Sequence, residues 1–169
     1  MDAEIIDRFG ALRDDALSGK LEPWSRTPHG RLSLIILIDQ FSRNIFRDDP
    51  RAFAHDPLAR RWCEEGLKAN ADYALRPVER VFFYMPLQHS EARADQDLSV
   101  ALFRSLRDGA ADAEREAFTN FLGFADRHRS IINRFGRFPH RNAVLGRDST
   151  SEELAFLKQP GASFQSRDL

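Results

Sequence analysis

The chain has 169 residues, 42% hydrophobic and 30% charged, with a formal net charge of −1. That composition is of a soluble globular protein long enough to bury roughly two thirds of its surface on folding, and it excludes whole-molecule attraction to nucleic acid or membrane. A single cysteine, Cys63, excludes an internal disulfide and any cysteine-based zinc site.

The longest apolar run, SLIILI, falls far short of the ~20 residues of a membrane span. The acids Asp2, Glu4, Asp7, Asp14 and Asp15 at the start are incompatible with a signal peptide. A single domain over residues 1–169 in the cytoplasm is the expectation. Arginine outnumbers lysine 22 to 3, and the segment from Arg127 to Arg147 holds six arginines, two histidines and no acid. A GC-rich genome accounts for an arginine excess, but not for a segment without acids.

The dominant period is helical. Ile5, Ile6, Phe9, Leu12, Ala16 and Leu17 form an amphipathic stripe that stops at Ser18 and Gly19. Thr27 and Pro28 read as N-cap and first helical residue of a helix to about Phe46. Asp56 and Pro57 repeat the signal for a helix to about Asn70. Pro77 opens a long helix through Leu106 that Pro86 should kink. Residues 113–135 form another, with Phe118, Phe121, Leu122, Ala125, Ile131, Ile132 and Phe135 along one side. Thr150 to Glu153 spell a capping box for a short last helix ending before Pro160 and Gly161. No period-2 strand pattern stands out. The fold class is therefore all-α, with short connections and antiparallel helix pairs.

No glycine-rich phosphate loop, Gly-x-Ser-x-Gly elbow or His-Glu-x-x-His motif occurs. The residues that ask for explanation sit in QFSRNIF and RFPHRNAV, which each place an Arg-Asn pair behind a phenylalanine. The helix carrying the first is apolar nearly all round, with Asp39 and Arg43 one turn apart and Gln40 and Asn44 in a parallel row. Buried charges must meet each other, water or a ligand. Either Asp39 and Arg43 form an internal pair, or Arg43 and Asn44 point into a polar cleft suited to a carboxylate or phosphate.

His128 falls within an apolar stripe and reads first as a hydrogen-bonded core histidine. His89 follows Pro86, where an imidazole could cap a freed carbonyl. Glu91 and Asp95 lie one helical turn apart and either form a solvated face or answer the arginines. A metal site from His89, Glu91, His128 and His140 would need distant positions to converge, and none is expected. Ser42, Ser90 and Cys63 lack a sequence-evident activating partner.

Four motifs carry a family resemblance: LIILIDQFSRNIFRDDPRAFAHDPLA (34–59), ERVFFYMPLQHSEARADQDLSVALF (79–103), RHRSIINRFGRFPHRNAVLGRDSTSEE (127–153) and LKQPGASF (157–164). Over nearly its whole length the chain resembles a bacterial family catalogued as domain of unknown function 924. That resemblance implies an all-helical fold of the tetratricopeptide-repeat-like class and brings no established activity. The chain departs from the family in three places: Ser42 stands where members usually have proline, and Gln88 where they often have glutamate. Members also usually begin with an aromatic-rich segment, so the resemblance implies that a preceding stretch, and one wall of any cleft, is missing.

The functional expectation is a cleft lined by Arg43, Asn44, His89, His140, Arg141 and Asn142, with Glu91 and Asp95 orienting the arginines. It would take a small anionic ligand, a carboxylate or phosphate ester. If a reaction occurs there, His89 or His140 is the proton carrier. No reaction class or cofactor follows. The alternatives are a tetratricopeptide-like scaffold for a peptide or protein partner and, behind it, nucleic-acid binding through Arg127 to Arg147.

Overall fold

The N-terminal stripe forms α1 (Asp2–Leu17) in the computed structural model, which describes residues 2–162. Phe9, Leu12, Ala16 and Leu17 face the core as the pattern predicts, whereas Ile6 is 49% exposed. Ser163 and Phe164 of the closing motif lie outside the described residues.

Thr27 caps the next helix, its hydroxyl accepting from Gly30 N–H at 3.1 Å. The rod that follows is interrupted: α2 (Pro28–Ile35) passes into a π-turn at Ile36–Gln40, and α3 (Phe41–Ile45) continues from it. Leu34, Ile35, Leu37 and Ile38 are all buried, so the rod runs through the middle of the core. Four residues beyond Ile38, Ser42 is buried, and its hydroxyl accepts from Arg13 Nε of α1 at 2.9 Å.

Helix α4 (Asp56–Lys68) packs on α2 through Ala59, Trp62 and Cys63. Cys63 is buried and its thiol is pushed up by that burial, which removes it as a nucleophile at neutral pH. The predicted long helix kinked at Pro86 is two helices, α5 (Pro77–Gln88) and α6 (Arg93–Asp108). Pro86 sits buried inside α5, and the chain breaks three residues later. The break is held by Gln96, whose amide donates to the carbonyls of Leu87, Gln88 and Ser90 at 3.4, 2.7 and 2.7 Å. The Leu87 carbonyl also accepts from Ser90 N–H at 3.2 Å, so the two amide hydrogens serve chiefly the Gln88 and Ser90 carbonyls, which no continuing helix satisfies.

Helix α7 (Arg115–Phe135) packs along α6, which packs on α5; the short connections turn the chain back each time, so neighbours run antiparallel. Gly136 ends α7 at φ +71°, the left-handed geometry that a glycine adopts freely. The chain then folds back through a 3-10 turn at Pro139–Arg141 to α8 (Ser151–Leu157), whose capping box forms as read from Thr150 and Glu153. No strand occurs among the described residues.

Candidate functional site

Four chain segments meet where α3, the start of α4, the α5–α6 corner and the Pro139–Arg141 turn come together. Arg43 on α3 donates through both terminal nitrogens to Asp56, the first residue of α4, at 3.0 and 2.9 Å. It also donates to the Asp39 carbonyl at 2.7 Å and lies 3.3 Å from the Asp39 carboxylate. His89 Nδ1 lies 2.9 Å from each oxygen of that carboxylate. Arg141 donates to the His89 carbonyl at 3.0 Å and stands 3.7 Å from Asp56. The contacts close on themselves: His89, Asp39, Arg43, Asp56, Arg141 and back to His89. Phe53 forms a floor shared by both guanidinium groups, 5.5 Å from Arg43 and 4.7 Å from Arg141.

Burial opposes ionisation of Asp39, which is 0% exposed, yet Arg43, His89 and Gln40 together hold its pKa well below the usual carboxylate range. Burial likewise opposes the charge on Arg43, and Asp39 and Asp56 more than offset it. For Arg141 the carboxylates of Asp56, Glu91 and Asp39 offset burial only in part. Burial, and then the like charge of Arg43, push its pKa down to about 10. Its Nε is buried without a hydrogen-bond partner. Solvent reaches the ring at Arg43 and Asp56, whose side chains are each 21% exposed, and at His89.

Residues 1–161 match the family described as bacterial protein of unknown function (DUF924). The chain belongs to that family. A solved structure of a protein of unknown function from Agrobacterium tumefaciens is 38% identical and covers 93% of this chain and 83% of its own, with a TM-score of 0.83. No curated protein matches the chain. Kinship therefore carries the fold of this DUF924 member, and any function has to be argued from its side chains.

Of the eight residues singled out in the sequence, Arg43, His89 and Arg141 share the ring. Asn44 is half-buried on α3, and its side chain makes no hydrogen bond among the described residues. His140 is half-buried beside Arg141, and burial followed by that guanidinium lowers its pKa to about 4. Asn142 is buried, donating to Ser149 at 2.9 Å and accepting from Arg147 at 3.0 Å. Glu91 receives two bonds from Arg147, at 2.8 and 3.0 Å, and one from Phe138 N–H at 2.8 Å. Asp95 accepts from Ser90 at 2.6 Å and Arg60 at 3.2 Å. The two acids thus make their direct contacts with Arg147 and Arg60 rather than with Arg43 and Arg141. They fix, respectively, the turn that carries Arg141 and the corner that carries His89.

His128 is the core histidine that its stripe predicts. Its Nδ1 donates to the Phe124 carbonyl at 2.8 Å, and burial lowers its pKa to about 3. His89 does not cap a carbonyl near Pro86; its ring turns to Asp39 instead. In the sequence Asp56 signals only a helix start, and Phe53 belongs to no pattern that marks a site. An acid at a helix beginning has a sufficient local explanation in capping, which hides a tertiary partner.

In the acid-free segment Arg129 meets Asp97 and Asp126, Arg134 meets Glu152, Arg137 meets Glu153 and Arg147 meets Glu91. The acids come from α6, α7, α8 and the α5–α6 corner, so little net charge is left for a phosphate backbone. A cavity of about 560 Å³ lies between α7 and α8, with Ile131, Phe135 and Phe156 in its walls. A smaller one of about 140 Å³ lies beside Tyr73 and Tyr84. Neither is lined by any of the eight residues. Among the described residues no helix is long and apolar enough to cross a membrane, and no group of three or more His, Cys, Asp or Glu is placed to hold a metal ion.

Proposed function

We propose that the Arg43–Arg141 ring binds a small anion, a carboxylate or a phosphate ester, at its solvent-facing edge. The observation that carries this reading is Arg141. It is a buried guanidinium with an unpartnered Nε, and its nearest carboxylate, 3.7 Å away, is already gripped on both oxygens by Arg43. An unmade hydrogen bond at a buried charged group costs about 1–3 kcal/mol or more. A guest offering paired oxygens supplies the acceptor that the fold omits. Asn44 and His140, each the chain neighbour of a ring arginine, are the further candidates for contact with the guest. Glu91, Asp95 and Asn142 support it from behind by holding the turn and the corner.

Asp56 is then an internal competitor for the guest, and that makes the reading testable. Asp56→Asn removes the competing charge while keeping the side chain's size. Phosphate and citrate, added at constant ionic strength, should raise the melting temperature of the native protein. The variant should bind them at least about tenfold more tightly, a change of about 1.4 kcal/mol. Equal responses from the native protein, Asp56→Asn and Arg141→Met would rule the site out.

A further inference from the structure

Anion binding uses the two arginines and leaves the Asp39–His89 contact unexplained. A carboxylate can only accept, so the hydrogen lies on His89 Nδ1, bisecting the two Asp39 oxygens at 2.9 Å each. In the neutral ring the lone pair is then on Nε2, which has no hydrogen-bond partner among the described residues. Asp39 itself stands in the π-turn, a distortion found often at functional sites and one that costs regular helix geometry. The titratable groups that face the imidazole are Asp39 from the central rod, His128 from α7 and His140 from the turn, while Arg43 shares the Asp39 carboxylate and Arg141 holds the His89 backbone carbonyl. The His128 ring centre is 6.1 Å away. Burial lowers the pKa of both His128 and His140, and of these three imidazoles His89 is the one oriented by a carboxylate at a solvent-reached position.

We propose that Asp39 and His89 form an acid–base dyad in which His89 Nε2 takes a proton from an O–H or acidic C–H bond of the anion held by Arg43 and Arg141. The O–H or C–H bond breaks, its electron pair stays on the oxygen or carbon, and an N–H bond forms at Nε2. The resulting imidazolium faces the Asp39 carboxylate, which stabilises it without taking the proton. His89 is the catalytic residue and Asp39 the positioning residue. The inference rests on the anion-binding reading, and the experiment below separates the failure of one from that of the other.

Diethylpyrocarbonate reacts with an unprotonated, accessible imidazole nitrogen, and peptide mass mapping reads each histidine separately. His29, 68% exposed, serves as the internal reference. His89 should be labelled, and saturating inorganic phosphate should protect it while leaving His29 unaffected. Asp39→Asn should slow His89 labelling by about tenfold or more relative to His29, as loss of an orienting partner commonly does. If His89 is not labelled while phosphate still binds in an Arg141-dependent way, the dyad is overturned and the anion site stands. If labelling depends on Asp39 but phosphate gives no protection, the shared site is overturned and the proposal falls with it. Should Asp39→Asn fail to fold, nitrogen NMR of the native protein decides: hydrogen on Nδ1 supports the dyad, and hydrogen on Nε2 alone overturns it.

Discussion

Replacing Arg141 by methionine should make the protein more stable and abolish anion binding. Burial pushes the guanidinium pKa well below its ordinary value, to about 10. At about 1.4 kcal/mol per pKa unit, holding its charge there costs roughly 3 kcal/mol. Against this stand the hydrogen bond to the His89 carbonyl, worth about 1 kcal/mol, and stacking on Phe53 and Phe138 at 4.7 and 4.6 Å. The stacking adds about 0.5–1 kcal/mol for each ring, of which a thioether recovers part through sulfur–aromatic contact. Arg43 keeps its two bonds to Asp56, so no carboxylate is stranded by the change. The balance is a gain of about 1 kcal/mol, or about 2–4 °C in melting temperature for a chain of this length. Urea titration measures the stability, and calorimetry with phosphate measures the binding. A loss of 2 kcal/mol or more, on the order of breaking a buried ion pair, with phosphate affinity unchanged would show that Arg141 is a structural cation and refute the reasoning.

Two glycines inside helices should respond with opposite signs to alanine. A Cβ on Gly66 would stand 2.5 Å from Phe83 and 2.6 Å from Arg31, and Phe83 is fully buried; Gly66→Ala should lose about 1–3 kcal/mol despite its better helix propensity. Gly123 meets nothing within 4 Å, so Gly123→Ala should gain up to about 1 kcal/mol, and urea midpoints moving in the same direction would contradict the packing described. Acid should weaken the fold before its carboxylates titrate. His128 and His140 have folded pKa values of about 3 and 4, below an ordinary 6.5, so their contribution is full above pH 6.5 and is lost as pH falls toward those values. The slope is up to about 1.4 kcal/mol per pH unit for each histidine, and equal urea stability at pH 7 and pH 5 would exclude it.

Most helices were legible because their stripes are one-sided. The period of α1, α4, α7 and the Thr150 capping box needs only neighbours within a few residues. The π-turn was not legible: the rod around Ile36–Gln40 is apolar on nearly every side, so a slip in phase leaves no polar edge to reveal it. The break after Gln88 escaped for another reason. Pro86 is the visible breaker, but the carbonyls that end the helix are satisfied by Gln96, beyond the break, through a contact that exists only once the corner has formed. Arg43, His89 and Arg141 stood out as polar groups in apolar company. Their common carboxylate did not, since Asp56 is 13 residues from one arginine and joined to the other only by folding.

One inserted residue is enough to widen a turn of α-helix into the form seen at Ile36–Gln40, and one residue advances a helix by about 100°. The central rod works as a crankshaft with two throws. Its first half is phased to the hydrophobic interior at Leu34 and Ile35, and its second is offset so that Ser42 and Arg43 reach across to α1 and α4. A regular helix could satisfy one of these demands at the expense of the other. Shortening the turn by a single residue would therefore swing Ser42 and Arg43 away from their partners on α1 and α4 while Leu34 and Ile35 kept their phase.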